Sequence, residues 1–575
     1  MNKFSLNVTK GHTLHFWVKS KAVTPKTFLS IYSSSKKQPL CFKIQNVPYY
    51  YEFYSYQHSV NEEIEIEIDL ANFDISLAYI FDPKVVEEEG VTYFDFSNNT
   101  IKLLSHKESI HNYQLDNLRP KLHFTPNSGW MNDPNGLCFH DGKYHMFYQY
   151  YPNSLDWGPM HWGHAVSENL MDWRHLPVFL QPEQNLESLA ATGGAFSGTA
   201  FTDPNDGELS FFFTERKAAY DLNHSYREVQ KRAFWDNNHT IATKVSTVLD
   251  NQPEFVHHDF RDPKVWFDPN DNLYKMILGS AVDKTPAILL YHSPDKENWK
   301  FESVLYQTPE YFERNSGRCV ECPDFIQFGD IWVVIYGVVG YHEQKTGRHN
   351  LLYAVPGRFS NNVFTSITDP QCLDFGTDFY AMQSFNDGCR QLAFAWLHNW
   401  AVKGHIHPQY NGEMSVPREL TLSKDNALLM RPTIEVDQKL ADTHPYSGEL
   451  IALEEKNQSV FSIEFNQIDG DFSINLLGEN TSINISFDNK SIKMIEKKLT
   501  GEDFSYELSP TSSDAKFSSQ TSSLDNIRII FDHGIVEVFC NNGRICGTRR
   551  YVNTLSCRTI ITKGNLNDGE IRFIK

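Results

Sequence analysis

The sequence predicts a mainly β protein of several domains, and three observations carry that expectation. Apolar and polar residues alternate with a period of two, as where Ile64, Ile66 and Ile68 interleave with Glu65, Glu67 and Asp69; this marks a strand with one face in a core. Similar runs recur at 211–214, 332–339, 461–465, 483–487 and 527–531, while helical periodicity is scarce. Asp133-Pro134, Asp203-Pro204, Asp262-Pro263 and Asp369-Pro370, with Cys322-Pro323 between the last two, then divide the middle of the chain. Their spacing, on the order of sixty residues, suits four-stranded blades with loops, so a propeller of about five blades fits the span.

A chain of 575 residues is too long for one core, so roughly two to four domains are expected. Residues 1–112 form an N-terminal β-rich region containing Tyr49, Tyr50, Tyr51, Phe53, Tyr54 and Tyr56, followed by the acidic Glu87, Glu88 and Glu89. Such an aromatic cluster suits docking or oligomerisation better than sugar binding. Residues 113–425, dense in Trp and in Asp-Pro and Gly turns, make the propeller. A linker spans 426–445, and residues 446–575 form a more polar C-terminal β domain. In that domain Ile535, Val536, Val538 and Phe539 lead to Asn542-Gly543, a hairpin turn signal. Ser509 to Ser523 reads as a surface loop.

A net charge of −20 argues against nucleic acid, which needs a basic footprint. The aromatic share of 14% permits a carbohydrate ligand without requiring one. Lys3, Lys10, His12 and Lys19 interrupt the apolar residues near Met1, so no secretory signal is expected there. No apolar run reaches the eighteen or so residues of a membrane span. Nine cysteines suit reduced thiols and a cytoplasmic protein. Cys319 and Cys322 form a CxxC with no second pair to complete a zinc site, and His405 and His407 form an HxH with no third ligand. Neither a metal nor an organic cofactor is expected.

Three segments can carry chemistry. In Trp130-Met131-Asn132-Asp133-Pro134-Asn135-Gly136, Pro134 biases Asp133 toward extended backbone and Asn135-Gly136 turns the chain. That presents Asp133 from a fixed strand end, although an Asx-turn with a structural Asp reads equally well from these residues. Arg261 and Asp262 are neighbours in Phe260-Arg261-Asp262-Pro263-Lys264 and on a regular strand would face opposite ways; a surface ion pair is the plainer reading. Glu321, between Val320 and Cys322, is a candidate acid or a paired structural carboxylate. Carboxylates on successive blades converge at a propeller axis, and glycoside hydrolysis needs such convergence.

These three segments resemble the signatures of glycoside hydrolase family 32, the invertases, sucrose-6-phosphate hydrolases, inulinases and levanases. Further stretches agree in the same order: Phe147-Tyr148-Gln149-Tyr150, Trp157-Gly158, Phe196-Ser197-Gly198, the run from Asp374 to Ala381, Met414 to Leu420, and Asp532 to Gly543. The resemblance covers roughly residues 119–575 and implies a five-bladed propeller followed by a β-sandwich, with the N-terminal region as an addition. It implies Asp133 as nucleophile, Glu321 as acid/base and Asp262 as the transition-state stabiliser holding fructose hydroxyls. Asn132, Gln149, Trp157, Phe196, Ser197, Arg261 and Trp396 match positions lining the fructosyl pocket. Asp133 would have to be ionised, its pKa kept low by Arg261 or nearby donors, while Glu321 carried a proton.

The implied activity is retaining cleavage of terminal β-D-fructofuranosyl residues from sucrose, sucrose-6-phosphate or short fructo-oligosaccharides, with a carboxyl separation of about 5–5.5 Å. Fructan exo-hydrolysis and fructosyl transfer use the same carboxylates. An inverting arabinan-active propeller enzyme and a non-catalytic sugar-binding protein are the rivals from outside this group. A phosphorylated substrate would need a cation near the leaving group, for which Lys264 and Arg314 are candidates. The expected partner is a small carbohydrate, with self-association through the N- or C-terminal β domain.

Overall fold

A computed structural model describes the chain apart from residues 1, 9, 22–25, 34–39, 60–61, 98–99, 220–224, 257–258, 345, 399, 401–406, 447 and 501–517. The fold is almost entirely β. Two antiparallel sheets open it. The alternating Ile64, Ile66 and Ile68 lie on strand Glu62–Ile68 and are fully buried between these sheets with Leu14, Phe16, Val18 and Phe28. Strand Thr13–Ser20 is buried on both faces. Its even-numbered residues fill that core, while Trp17 joins Phe53, Tyr79 and Phe81 against Tyr148, Tyr150 and Val178 of the following domain. Phe53 of the aromatic cluster therefore docks this region onto the rest of the chain. The one long helix near the boundary, His106–Leu115, was not expected; Ser105 and Glu108 start it with a reciprocal capping box.

Five antiparallel sheets follow in chain order, over 129–180, 194–249, 261–307, 319–366 and 380–432. The first strand of each, Gly129–His140, Gly194–Thr202, Arg261–Asp268, Cys319–Phe328 and Tyr380–Asn386, touches its counterpart in the next sheet, and the last touches the first. This closed ring is the propeller. Tyr410–Asn411, paired in parallel with Gly129 and Trp130, laces the last blade to the first. The outer strand of the fifth sheet, Leu428–Pro432, and the short helix Ile434–Lys439 occupy the stretch read as a linker. They are held there because Leu428, Met430 and Val436 pack in the apolar seam between propeller and C-terminal domain.

The C-terminal domain is a sandwich whose sheets share two long strands. Val460–Leu477 pairs with Ile527–Asp532 through its first half and with Thr481–Asp488 through its second. Thr559–Phe573 runs beside it throughout, with a register slip between Asp469 and Phe472 where both bend. Strands Ile535–Cys540 and Ile545–Arg550 form the hairpin expected around Asn542-Gly543. Most of the Ser-rich stretch lies outside the described residues, and Ser518–Gln520 within it is a short strand instead of loop.

A buried polar lock joins sandwich and propeller. Asp532 accepts hydrogen bonds from the backbone N–H groups of Lys121, Leu122 and His123 and lies 2.8 Å from His123 Nδ1. His123 Nε2 lies 2.9 Å from Glu537, which also binds Arg418. Nearby, Asp374 accepts from the N–H and hydroxyl of Thr548, at 2.8 and 2.7 Å.

Candidate active site

The same defect recurs on the inner strand of every blade. Between Met131 and Pro134, Ala195 and Gly198, Arg261 and Lys264, Glu321 and Asp324, and Tyr380 and Gln383, three steps on the inner strand face two on its neighbour. Each is a β-bulge with one extra residue, which re-aims the side chains beside it. The bulged pairs are Asn132-Asp133, Phe196-Ser197, Asp262-Pro263, Cys322-Pro323 and Ala381-Met382. Pro263 and Pro323 thus sit where a ladder hydrogen bond is already missing, the place a sheet tolerates them. Asp262, Cys322 and Ala381 take left-handed φ values of 64°, 47° and 51°, a strain a folded ring sustains at a functional site. The bulge also corrects the expectation that Arg261 and Asp262 face opposite ways: both side chains turn inward.

The Asp-Pro rhythm marks the blades only in part. Asp133 and Asp262-Pro263 lie in these bulges, with Pro134 closing the first. Asp203-Pro204 begins the turn after strand Gly194–Thr202, and Asp369-Pro370 precedes the two-residue strand Gln371–Cys372. Asp-Pro is simply common in turns.

The ring brings the three carboxylates together through shared partners. Asp133 accepts from Asn132 Nδ2 at 3.0 Å, Ser197 Oγ at 2.6 Å and Cys322 Sγ at 3.3 Å. The N–H of Cys322 donates to Asp262 Oδ2 at 2.8 Å, and the N–H of Asp262 donates to Thr214 Oγ1 at 2.9 Å. The Glu321 side chain is 18% exposed, against 3% for the Arg261 that pairs with it. Arg261 Nη2 donates to its Oε1 and Tyr380 Oη to its Oε2, each at 2.9 Å. The second Arg261 nitrogen is held by Glu228 and Asp259.

Burial dominates the electrostatics. It pushes the Asp262 carboxyl up to about 7, with Arg261 opposing and Glu321 reinforcing the rise. The Asp133 carboxyl is also raised, again by burial first; its bonds to Ser197 and Asn132 offset this only in part, and the nearby Glu321 adds to the rise. The expectation of a lowered Asp133 is therefore corrected. Its donors are present, but Arg261 points at Glu321 instead, and loss of water outweighs neutral hydrogen bonds.

The expected binding residues gather here in unequal roles. Asn132 also accepts from Trp130 Nε1 at 2.7 Å, and Gln149 Nε2 donates to the Ala195 carbonyl at 2.8 Å, bracing the second bulge. Half-buried Trp157 meets Phe196 edge to face at 6.1 Å, and the Arg216 guanidinium lies over the Phe196 ring, 4.4 Å from its centre. Trp396 is fully buried against Trp130, 5.7 Å away, and Trp400, 5.1 Å away.

Several residues of the site were not singled out from sequence. Tyr380 lay within the Asp374 to Ala381 stretch, whose Asp374 instead docks the sandwich; Glu228 and Asp259, which hold Arg261, carried no local signal. The ring of Tyr380 reaches Glu321 across Gly337, where a Cβ would lie 2.7 Å from it. Both cysteines of the CxxC are buried free thiols: Cys319 Sγ lies 3.3 Å from Arg261 Nη2 and Cys322 faces Asp133. His407 pairs with Asp116 at 2.6 Å, and His405 lies outside the described residues. Lys264 is bound to Asp324 at 3.0 Å and to the Ser384 carbonyl, beyond the bulges, and Arg314 forms an exposed pair with Glu310.

A propeller with an attached sandwich, gathering three carboxylates at or beside the bulges of its first, third and fourth blades, has the architecture of a carboxylate-dependent glycosidase. The model for the glycosyl hydrolases family 32 N-terminal domain matches residues 123–432, and that for the family's C-terminal domain matches 428–562. The chain belongs to glycoside hydrolase family 32. It is 30% identical to a levanase of Bacillus subtilis over 75% of this chain and 66% of that protein. It is 37% identical to a sucrose-6-phosphate hydrolase of Zymomonas mobilis over 55% of this chain and 62% of that one. The matches thus span just under two thirds of these relatives' own lengths. A family 32 structure from Bifidobacterium adolescentis shares the fold across 100% of this chain and 99% of its own, with TM-score 0.83 and 21% identity.

Proposed function

We propose that the protein is a retaining β-fructofuranosidase that releases terminal fructose from sucrose, sucrose-6-phosphate or short fructo-oligosaccharides. The observation that carries this reading is the placement of Asp133 and Asp262 in, and Glu321 beside, three bulges of one ring, tied to each other through Cys322 and Arg261. Names of the relatives point the same way: levanase, sucrose-6-phosphate hydrolase and raffinose invertase.

In this reading Asp133 attacks C2 of the fructosyl unit as the bond from C2 to the glycosidic oxygen breaks. Glu321 gives its proton to that oxygen, and the leaving sugar departs. Water then attacks C2 of the fructosyl-enzyme, Glu321 takes a proton from the water, and Asp133 is released with net retention. Burial makes Asp133 the more basic and so the stronger nucleophile once ionised, while Asn132 and Ser197 hold the ionised form in place. Arg261 and Tyr380 fix both oxygens of Glu321, so its proton is delivered from a set position. Asp262, with its pKa near 7, hydrogen-bonds fructose hydroxyls in either protonation state. We place the enzyme in the cytoplasm, a reading supported by the buried free thiols Cys138, Cys319, Cys322, Cys540, Cys546 and Cys557.

The test is release of fructose and glucose from sucrose, with Glu321→Gln beside the native protein. Fructose release that falls by about 10²–10⁴ in the variant supports the assigned acid/base. Failure with sucrose, sucrose-6-phosphate and short fructans alike overturns the hydrolase in favour of a binding protein.

A further inference from the structure

We propose that His140, Asp141 and His239 form a binding site for a divalent transition-metal ion of the zinc class, remote from the carboxylate pocket. His140 ends the innermost strand of the first blade and Asp141 opens the hairpin after it; His239 lies in the turn between strands Tyr226–Trp235 and Ala242–Leu249 of the second blade. One ligand atom from each lies within 4.8 Å of the others, and among the described residues this is the one such trio. Asp141 is largely exposed, with 77% of its side chain open to solvent. That open side chain can swing toward both imidazoles, in the direction of the span of about 3.3 Å between ligands that tetrahedral zinc favours.

The surroundings are built for an imidazole ligand. His239 stacks on Trp235 with ring centroids 3.9 Å apart, and Trp235 meets His140 edge to face at 5.0 Å. Trp235 thereby fixes both rings, which stand 5.6 Å apart at 84°. His239 Nδ1 is bound to Glu87 Oε1 at 2.6 Å, and the other oxygen of Glu87 takes Lys143 Nζ at 2.8 Å. A carboxylate on Nδ1 leaves Nε2 to bind a metal, the support that metal-binding histidines normally have. Lys143 balances Glu87, which makes Glu87 a support and Asp141 the anionic ligand.

The turns are set as firmly. Asp141 and His239 take left-handed φ values of 48° and 54°. Asp236 accepts the N–H groups of Thr240 and Ile241 and so closes the turn that carries His239. An ordinary surface ion pair explains less: His140 Nε2 and Asp141 Oδ2 are 3.6 Å apart, beyond hydrogen-bond distance. Two imidazoles and one carboxylate favour zinc or a neighbouring d-block ion over magnesium or calcium, which take oxygen ligands, and leave a position for water.

Such an ion would tie the first blade to the second and, through Glu87 on the short helix Val86–Glu89, to the N-terminal sheets. Asp133 lies seven residues up the same strand, on the order of 20 Å away. The metal would therefore act on stability and leave turnover unchanged.

The experiment titrates zinc chloride into the full-length protein after chelator treatment, by calorimetry, with thermal unfolding followed in parallel. The expected result is one equivalent bound and a rise in Tm. His140→Ala and His239→Ala should each weaken zinc binding at least tenfold and abolish the rise; Glu87→Gln should weaken it about 10–100-fold with the stoichiometry kept. His140→Ala changes a half-exposed strand end, so its fold is checked by fructose release from sucrose, which should match the native protein with or without zinc. Absence of saturable zinc binding, or binding left intact in both histidine variants, overturns the site.

Discussion

Replacing Asp532 by Asn tests the lock between sandwich and propeller. Asp532 is fully buried and collects the N–H groups of Lys121, Leu122 and His123 together with His123 Nδ1 and His533 Nδ1. An amide of equal size keeps one acceptor and turns a donor toward other donors. It also leaves the charge on His123, which Asp532 and Glu537 together hold in the protein interior, with Glu537 as its one remaining carboxylate. Breaking a buried charged pair on one side costs about 3–5 kcal/mol. For a unit larger than 250 residues that is a drop in Tm of roughly 5–10 °C.

The pH dependence has a definite sign. The Asp532 and Glu537 carboxylates raise His123 from 6.5 to about 9 against its burial, so its contribution is complete below pH 6.5 and is lost as pH rises through about 9. Glu537, lowered from 4.5 to about 2 by Arg418 and His123, contributes above pH 4.5 and loses that contribution as pH falls toward 2; Asp532, held low by His123 and His533, behaves in the same sense. The Tm difference between native protein and variant should be greatest between pH 4.5 and 6.5 and shrink toward pH 9. Scanning calorimetry over that range measures it. A difference below about 2 °C at pH 6, or one that stays flat to pH 9, would refute the assignment of the lock as ionic.

Other perturbations address the pocket. Ser197→Ala removes the 2.6 Å donor from Asp133; the acid limb of kcat/KM should move up by about one pH unit, because a charge-assisted bond worth roughly 1.5 kcal/mol no longer favours the carboxylate. A pH–rate profile decides this, and an unmoved limb rejects Asp133 as the titrating group. Gly337→Ala puts a Cβ against the Tyr380 ring, so kcat should fall with KM little changed as Glu321 loses its hydroxyl partner; Tyr380→Phe should reproduce that pattern. With methanol present, sucrose should yield methyl β-fructofuranoside, detectable by NMR, since a fructosyl-enzyme is trapped with retention. The α product would point to inversion.

Much of the fold and part of the site are legible in short stretches because their causes are local. Alternation at Ile64, Ile66 and Ile68 predicts a half-buried strand from side-chain geometry alone, and strand Glu62–Ile68 has that form. Pro after Asp133, Asp262 and Cys322, with Gly136 closing the first motif, restricts a few adjacent backbone angles, and that restriction is written in neighbouring residues. The shared motifs that carry the family resemblance are of this kind. Tertiary structure alone decided the rest. Five bulges at one level become visible only when strands some sixty residues apart close a ring. Glu228 reaches Arg261 from the neighbouring blade, and Tyr380 finds Glu321 only because Gly337 lies between. The same distinction explains Asp133: its donors follow from sequence neighbours and blade order, but its raised pKa comes from burial. Burial is a property of the packed molecule, set by what surrounds a group and not by the residues beside it in the chain.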